Sequence, residues 1–422
     1  MVLRKSVLIN IIFFLCLFPY IKYVPFLDVE VQPIAVVFSV FYFFFFVKGI
    51  KDRSLLFYLI AVLTYFIVSL LLSMYEERYE TFYVIQSFLI LITPLFIFMS
   101  LKNNINLIST KLFVFSVLSW AILGTFQMFL PSVLSATGIE LILSNIISRW
   151  TSTANSVVER GVVMFSSEPS YAGHVILLMF IFTIYLYRNS KISKKLFIFL
   201  MCLNIWMVFL NQSGTLVISM VLFVLSWVFF NIRKPVYWFL LIPIIFTSII
   251  TFLIVKAFDV RSLNMLITLI TLFLDGSIGI NELLSFSQQY DSDRLPATVA
   301  GYYNIVLSNG IGTGLGSWSY RFIESMSALH LANPENAKPF AYAALVAFDM
   351  GLIGLIPFVI FISNVILKNK VKKFTGFEFG CLVIALLGIF IQSMTSLPIY
   401  WIILLFSFKD VVNLKSQLNK AA

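Results

Sequence analysis

Apolar runs long enough to cross a bilayer recur along the whole chain, separated by short polar or charged breaks. A hydrocarbon core about 30 Å thick is spanned by roughly 20 apolar residues in a helix. Runs meeting this requirement open near Ser6, Val31, Leu55, Thr81, Leu112, Tyr171, Lys195, Ser213, Pro235, Ala341, Phe374 and Thr395. The pattern predicts an all-α polytopic integral membrane protein of about twelve transmembrane helices, with residues 1–422 forming a single transmembrane domain. The last run is the weakest of these, because its apolar stretch over 397–408 is short and Pro398 stands near its start. The first follows Arg4 and Lys5 as a signal peptide would. No small-x-small site follows it, and Pro19 and Lys22 stand where one would fall, so it reads as a retained helix.

Charge sets the orientation. Lys and Arg collect in loops on the cytoplasmic side. With the N-terminus inside, 20 of the 29 basic residues fall on that side, together with only Asp52, Glu378 and Asp410 of the 19 acidic ones. Twelve spans with both termini cytoplasmic satisfy every loop. The net charge of +10 is therefore placed against anionic lipid headgroups and does not mark a nucleic-acid partner. Cys16, Cys202 and Cys381 all lie in apolar runs, and only His174 and His330 are present, so neither a disulfide framework nor a multi-histidine metal site is expected. No cofactor is implied.

Most connections are a few residues long, but two segments on the outer side are large: a first loop over 135–170 and a second over 256–340. Loops of that length carry function or are disordered. Helix-like apolar stretches over 140–147 and 263–274 favour short helices lying at the interface. In the first loop, Arg149 and Arg160 precede Phe165-Ser166-Ser167-Glu168-Pro169-Ser170-Tyr171-Ala172-Gly173, which runs into the sixth span. Pro169 suits a first helical turn. Glu168 has two readings: a carboxylate capping the positive end of a helix, or a general base or sugar-binding group at the lip of a cavity.

The second loop holds Asp291-Ser292-Asp293-Arg294, an amphipathic stretch to Asn309, and then Gly310-Ile311-Gly312-Thr313-Gly314-Leu315-Gly316. Glycine at alternate positions permits close backbone approach, and either a chain-redirecting turn or a phosphate nest fits it. No Gly-Lys-Ser/Thr follows, which excludes a nucleotide-binding P-loop. Arg321, Glu324, His330 and Lys338 come next, then a span opening Phe340-Ala341-Tyr342 with Asp349 about two turns in. A carboxyl that deep costs roughly 3 kcal/mol on insertion and should face a partner or a wet cavity. His330 reads as an ordinary loop histidine and His174 as a helix-packing hydrogen bonder. Arg149, Arg160, Arg261, Arg294, Arg321 and Lys338 form an unusual cationic set for the outer side. Guanidinium forks suit phosphate oxygens, and the phosphate found at that face of a membrane is the pyrophosphate of a lipid carrier, whose departure arginines can stabilise without a metal.

The segment from Arg160-Gly161 through Phe165-Ser166-Ser167-Glu168-Pro169-Ser170-Tyr171-Ala172-Gly173 resembles the motif that opens a central helix in bacterial O-antigen and exopolysaccharide repeat-unit polymerases, the Wzy family. Asp293-Arg294, the glycine segment, Ala341-Tyr342 and Asp349-Met350-Gly351-Leu352-Ile353-Gly354 resemble the second-loop signature that those polymerases share with O-antigen ligases. Ligases commonly carry an asparagine-rich motif where this chain has Glu168-Pro169-Ser170, and a His-Asn pair where it has Lys338-Pro339; both departures favour the polymerase and leave the acceptor's base open. The resemblance implies a membrane-embedded fold of the GT-C kind in a bacterial inner membrane, acting as a metal-independent inverting glycosyltransferase on the periplasmic face. Undecaprenyl-pyrophosphate-linked oligosaccharide would serve as donor and acceptor, and a flippase and a chain-length regulator would be partners. It implies catalytic roles for Glu168, Arg160 and Arg294, with Arg261, Arg321, Lys338 and Tyr342 binding pyrophosphate or substrate. A ligase transferring glycan to lipid A core is the alternative, followed by a polysaccharide flippase or transporter.

Overall fold

The computed structural model describes residues 2–23, 34–47, 52–76, 79–102, 104–147, 150, 161–230, 284, 294–332, 338–370, 375–392 and 397–407. Among them the chain is helical, with no strand; Ile21 and Ile147 form one isolated antiparallel bridge. The helices are α1 (Val2–Leu17), α2 (Ile34–Phe46), α3 (Arg53–Leu72), α4 (Thr81–Lys102), α5 (Thr110–Phe129), α6 (Pro131–Ala136), α7 (Ile139–Ile146), α8 (Pro169–Arg188), α9 (Lys194–Asn211) and α10 (Gly214–Phe230). They continue with α11 (Arg294–Leu307), α12 (Trp318–Ala328), α13 (Tyr342–Lys370), α14 (Gly376–Leu387) and α15 (Ile399–Leu405).

Six of these, α3, α4, α5, α8, α9 and α13, are long and apolar enough to cross a membrane; α2, α10, most of α1 (Lys5–Leu17) and α14 with the turn that follows it (Gly376–Ile391) are apolar but shorter. Eleven of the twelve apolar runs coincide with described helices, and the run opening at Pro235 lies outside the described residues. The run at Thr395 yields only the seven residues of α15, about 10 Å of helix. The stretch over 140–147 forms α7, while 263–274 lies outside the described residues.

α8 is the centre of the bundle. Every side chain from Tyr171 to Leu186 is buried, as an all-round apolar helix requires, and it packs against α9, α10 and α15. α3 shows the opposite arrangement. It turns Tyr58, Leu59 and Val62 inward and leaves Phe57, Ile60, Ile67 and Leu71 exposed. An exposed apolar face along a whole helix is what a hydrocarbon solvent allows and water does not.

Local chemistry starts the helices. Asp52 accepts the Ser54 N–H at 3.2 Å ahead of α3, Ser193 accepts from Leu196 N–H ahead of α9, and Thr375 with Glu378 forms a capping box on α14. α13 is broken at Gly351, whose φ of 56° and ψ of −146° are non-helical.

Candidate functional site

The start of α8 is fixed from several sides. Gly161 has a φ of 82°, and a Cβ there would lie 2.1 Å from the Asn211 carbonyl oxygen, so only glycine lets the chain pass the end of α9. Val162 N–H donates to the Leu210 carbonyl at 3.1 Å, Met164 N–H donates to Gln127 Oε1 at 2.7 Å, and Trp150 Nε1–H donates to the Met164 carbonyl at 2.7 Å. Asn211 Nδ2 reaches both the Val162 carbonyl (3.0 Å) and the Pro169 carbonyl (2.8 Å), clasping the segment at its two ends. Ser166 Oγ donates to the Glu168 carbonyl and accepts from the Glu168 N–H. Glu168 is extended, with φ −145° and ψ 151°, at the N-cap of α8, and its side chain makes no capping hydrogen bond.

Instead the carboxylate turns to the first residue of α11. Arg294 Nη2 donates to Glu168 Oε2 at 2.8 Å and to Ser170 Oγ at 2.6 Å. The guanidinium is flanked by the Tyr171 ring at 4.9 Å and the Phe340 ring at 5.0 Å, contacts that hold a planar cation in one plane. The side chains remain 35% (Glu168) and 25% (Arg294) exposed, so the pair opens to the outside of the bundle. Glu168 and Arg294 are thus brought together across 126 positions, with an aromatic wall that the sequence reading did not single out. Ser170 was visible in the motif, but its hydroxyl's role was not.

The other predicted residues are spread more widely. Arg149, Arg160 and Arg261 lie outside the described residues. The Arg321 guanidinium lies 5.7 Å from the Tyr320 ring, and Lys338 Nζ lies 5.7 Å from the Trp318 ring, two residues before Phe340. Burial pushes the Lys338 ammonium below the usual lysine range. Tyr342 is in the core. Its hydroxyl donates to the Leu91 carbonyl at 2.8 Å and stands 3.0 Å from the Tyr58 hydroxyl. His174 packs beneath the site with Nδ1 2.7 Å from the Tyr400 hydroxyl.

Of the two readings of the glycine segment, the structure supports the turn. Its N–H groups are spent on protein: Gly310 on Ile305 O, Ile311 on Ser308 O, Gly312 on Ser308 Oγ, Thr313 on Phe348 O, Gly314 on Asp349 O and Leu315 on Ser69 Oγ. The Phe348 and Asp349 carbonyls are those beside the break at Gly351, and Leu352 N–H returns the contact to Gly310 O at 2.8 Å. The segment therefore supplies the partners that a broken membrane helix needs, and no row of free N–H groups remains as a nest. Asp349 is fully buried beside Ser87 and Gly316. Neither of its side-chain oxygens reaches hydrogen-bond geometry among the described residues.

Among the described residues, no three His, Cys, Asp or Glu side chains converge. No family model matches the chain, and no curated protein matches it.

Proposed function

We propose that the chain is a polymerase of bacterial O-antigen or exopolysaccharide repeat units. In this reading it is a GT-C-like inverting glycosyltransferase of the inner membrane, with both termini cytoplasmic and the Glu168–Arg294 site facing the periplasm. The observation that carries the proposal is the junction itself. A carboxylate from the first loop and an arginine from the second, each assigned from its own motif, meet at 2.8 Å between two aromatic rings.

The chemistry follows from those groups. Arg294, supported by Arg160 and by Arg261 or Arg321, binds the pyrophosphate of an undecaprenyl-pyrophosphate-linked glycan and stabilises the charge that grows as it leaves. Glu168 orients the acceptor sugar hydroxyl and takes its proton. The acceptor oxygen bonds to the anomeric carbon from the face opposite the phosphate, the carbon–phosphate-oxygen bond breaks, and undecaprenyl pyrophosphate departs with the electron pair. The acceptor is a second lipid-linked repeat unit, so the chain grows by one unit. Lys338 adds positive charge near the Phe340 wall, and Tyr342 holds the bundle behind it. A flippase that supplies repeat units and a chain-length regulator are the partners this activity calls for.

The test supplies purified protein with a lipid-pyrophosphate-linked repeat unit, without nucleotide sugar or added metal. A product ladder is expected, and it should disappear with Arg294→Ala and with Glu168→Gln. A ladder from both variants at normal expression would refute the residue roles. No ladder from intact wild-type protein, with glycan passed instead to a core-lipid acceptor, would make the chain a ligase.

A further inference from the structure

A guanidinium can grip phosphate with two parallel N–H bonds along either of two edges, Nε with Nη2 or Nη1 with Nη2. Both edges include Nη2. In this structure Nη2 of Arg294 donates to Glu168 Oε2 at 2.8 Å and to Ser170 Oγ at 2.6 Å. Those two acceptors lie 3.4 Å apart, so each takes one of the two Nη2 hydrogens. The Tyr171 and Phe340 rings, at 4.9 Å and 5.0 Å, leave the guanidinium little room to rotate away. As it stands, Arg294 can offer a phosphate only single-pronged contacts.

We propose that the Glu168–Arg294 ion pair is an autoinhibitory latch, in which Glu168 occupies the place of the donor phosphate and is expelled when the pyrophosphate binds. The inference rests on the assignment of Arg294 to pyrophosphate. Glu168 is the partner that must leave. A carboxylate and a phosphate on the same guanidinium are like charges in contact, a juxtaposition that disfavours both, whereas Ser170 is neutral and can turn its hydroxyl to donate to the phosphate. Expulsion has a second effect, because it releases the carboxylate from its cation only once a donor is seated. The acceptor hydroxyl then meets a Glu168 detached from Arg294 only in the donor complex, which enforces donor before acceptor.

The experiment measures the affinity of full-length protein in nanodiscs for undecaprenyl pyrophosphate carrying no sugar, comparing wild type, Glu168→Gln, Arg294→Ala and Arg294→Lys, with monodispersity checked for each. Glutamine keeps the size of the side chain but not its charge, so Glu168→Gln should bind about 2- to 5-fold more tightly than wild type, the effect of removing a partly exposed competing ion pair. Arg294→Ala should lose binding, and Arg294→Lys, which keeps a point charge but has no fork, should fall between. If Arg294→Ala and Arg294→Lys weaken binding while Glu168→Gln leaves it unchanged or weaker, the latch is overturned and the pyrophosphate assignment stands. If neither arginine variant changes the affinity, the assignment itself fails and the latch fails with it.

Discussion

The Tyr58–Tyr342 pair gives a test in which the order of the variants, not only their size, is fixed by the structure. Tyr342 donates its single hydroxyl proton to the Leu91 carbonyl at 2.8 Å. The 3.0 Å contact with Tyr58 must therefore run from the Tyr58 hydroxyl to the Tyr342 oxygen. Both side chains are essentially inaccessible, at 0% and 1%, and both rings pack on Phe358 at 5.3 Å, contacts that phenylalanine would keep. Tyr58→Phe removes one hydrogen bond and strands nothing, a loss of about 0.6–1 kcal/mol. Tyr342→Phe removes two and leaves the Tyr58 hydroxyl as a buried donor without an acceptor, so the loss should reach about 2–4 kcal/mol. The double variant loses both bonds but strands no donor, and should cost only about 1–2 kcal/mol. Adding Tyr58→Phe to Tyr342→Phe should therefore raise stability. Equilibrium unfolding in mixed micelles measures all four forms. A double variant as unstable as Tyr342→Phe, or more so, would refute the hydroxyl chain. Loss of ladder synthesis by Tyr342→Phe at unchanged stability would return Tyr342 to the substrate site.

Three further outcomes are expected. Gly312→Ala places a Cβ 2.4 Å from Gly351 N at a φ of +85°. Left-handed strain of about 1–2 kcal/mol with a backbone clash added should cost well over 2 kcal/mol, whereas Gly138→Ala, at φ +71° with nothing within 4 Å, should show the strain alone; equal melting temperatures would refute the packing. Lys338, held below its ordinary value of 10.5 by burial, binds its proton less tightly folded than unfolded. Stability should therefore rise with pH from the folded value up to about 10.5 and level off above it, and Lys338→Met should flatten that alkaline rise in a melting-temperature series. Asn211→Ala frees both ends of the segment that carries Glu168. Catalytic turnover should drop by up to about 100-fold while the affinity for undecaprenyl pyrophosphate is held or rises, since a loosened Glu168 competes less for Arg294, and a fall in affinity alone would be the contrary result.

Hydropathy made the helices legible because a bilayer imposes length and apolarity together. The long apolar stretch after Gly173 marks α8 as a helix buried on all sides. Glu168 and Arg294 were also legible singly, Glu168 as a carboxylate at a helix start and Arg294 as one of an unusual set of cations in the long loops. That they would touch was not, since the contact depends on how α8 and α11 dock across 126 positions. Tyr342 was assigned to substrate through the resemblance alone, and the partners of its hydroxyl, Tyr58 and the Leu91 carbonyl, come from distant helices that no local pattern names. The glycine segment stayed open between turn and nest because glycine permits both. The break at Gly351 decides between them, and a break within Met350-Gly351-Leu352 leaves no trace in a hydropathy profile.

The splice between the glycine segment and α13 also ties two distant stretches of chain into one unit of inheritance. A Cβ on Gly351 would strike the Gly310 carbonyl at 2.3 Å, and one on Gly312 would strike Gly351 N at 2.4 Å. Neither glycine can be exchanged while the other segment keeps its path. In diverging descendants of this chain the loop and the helix break should be retained together or lost together, and a relative with an unbroken helix here would have to route the chain after α11 by another path.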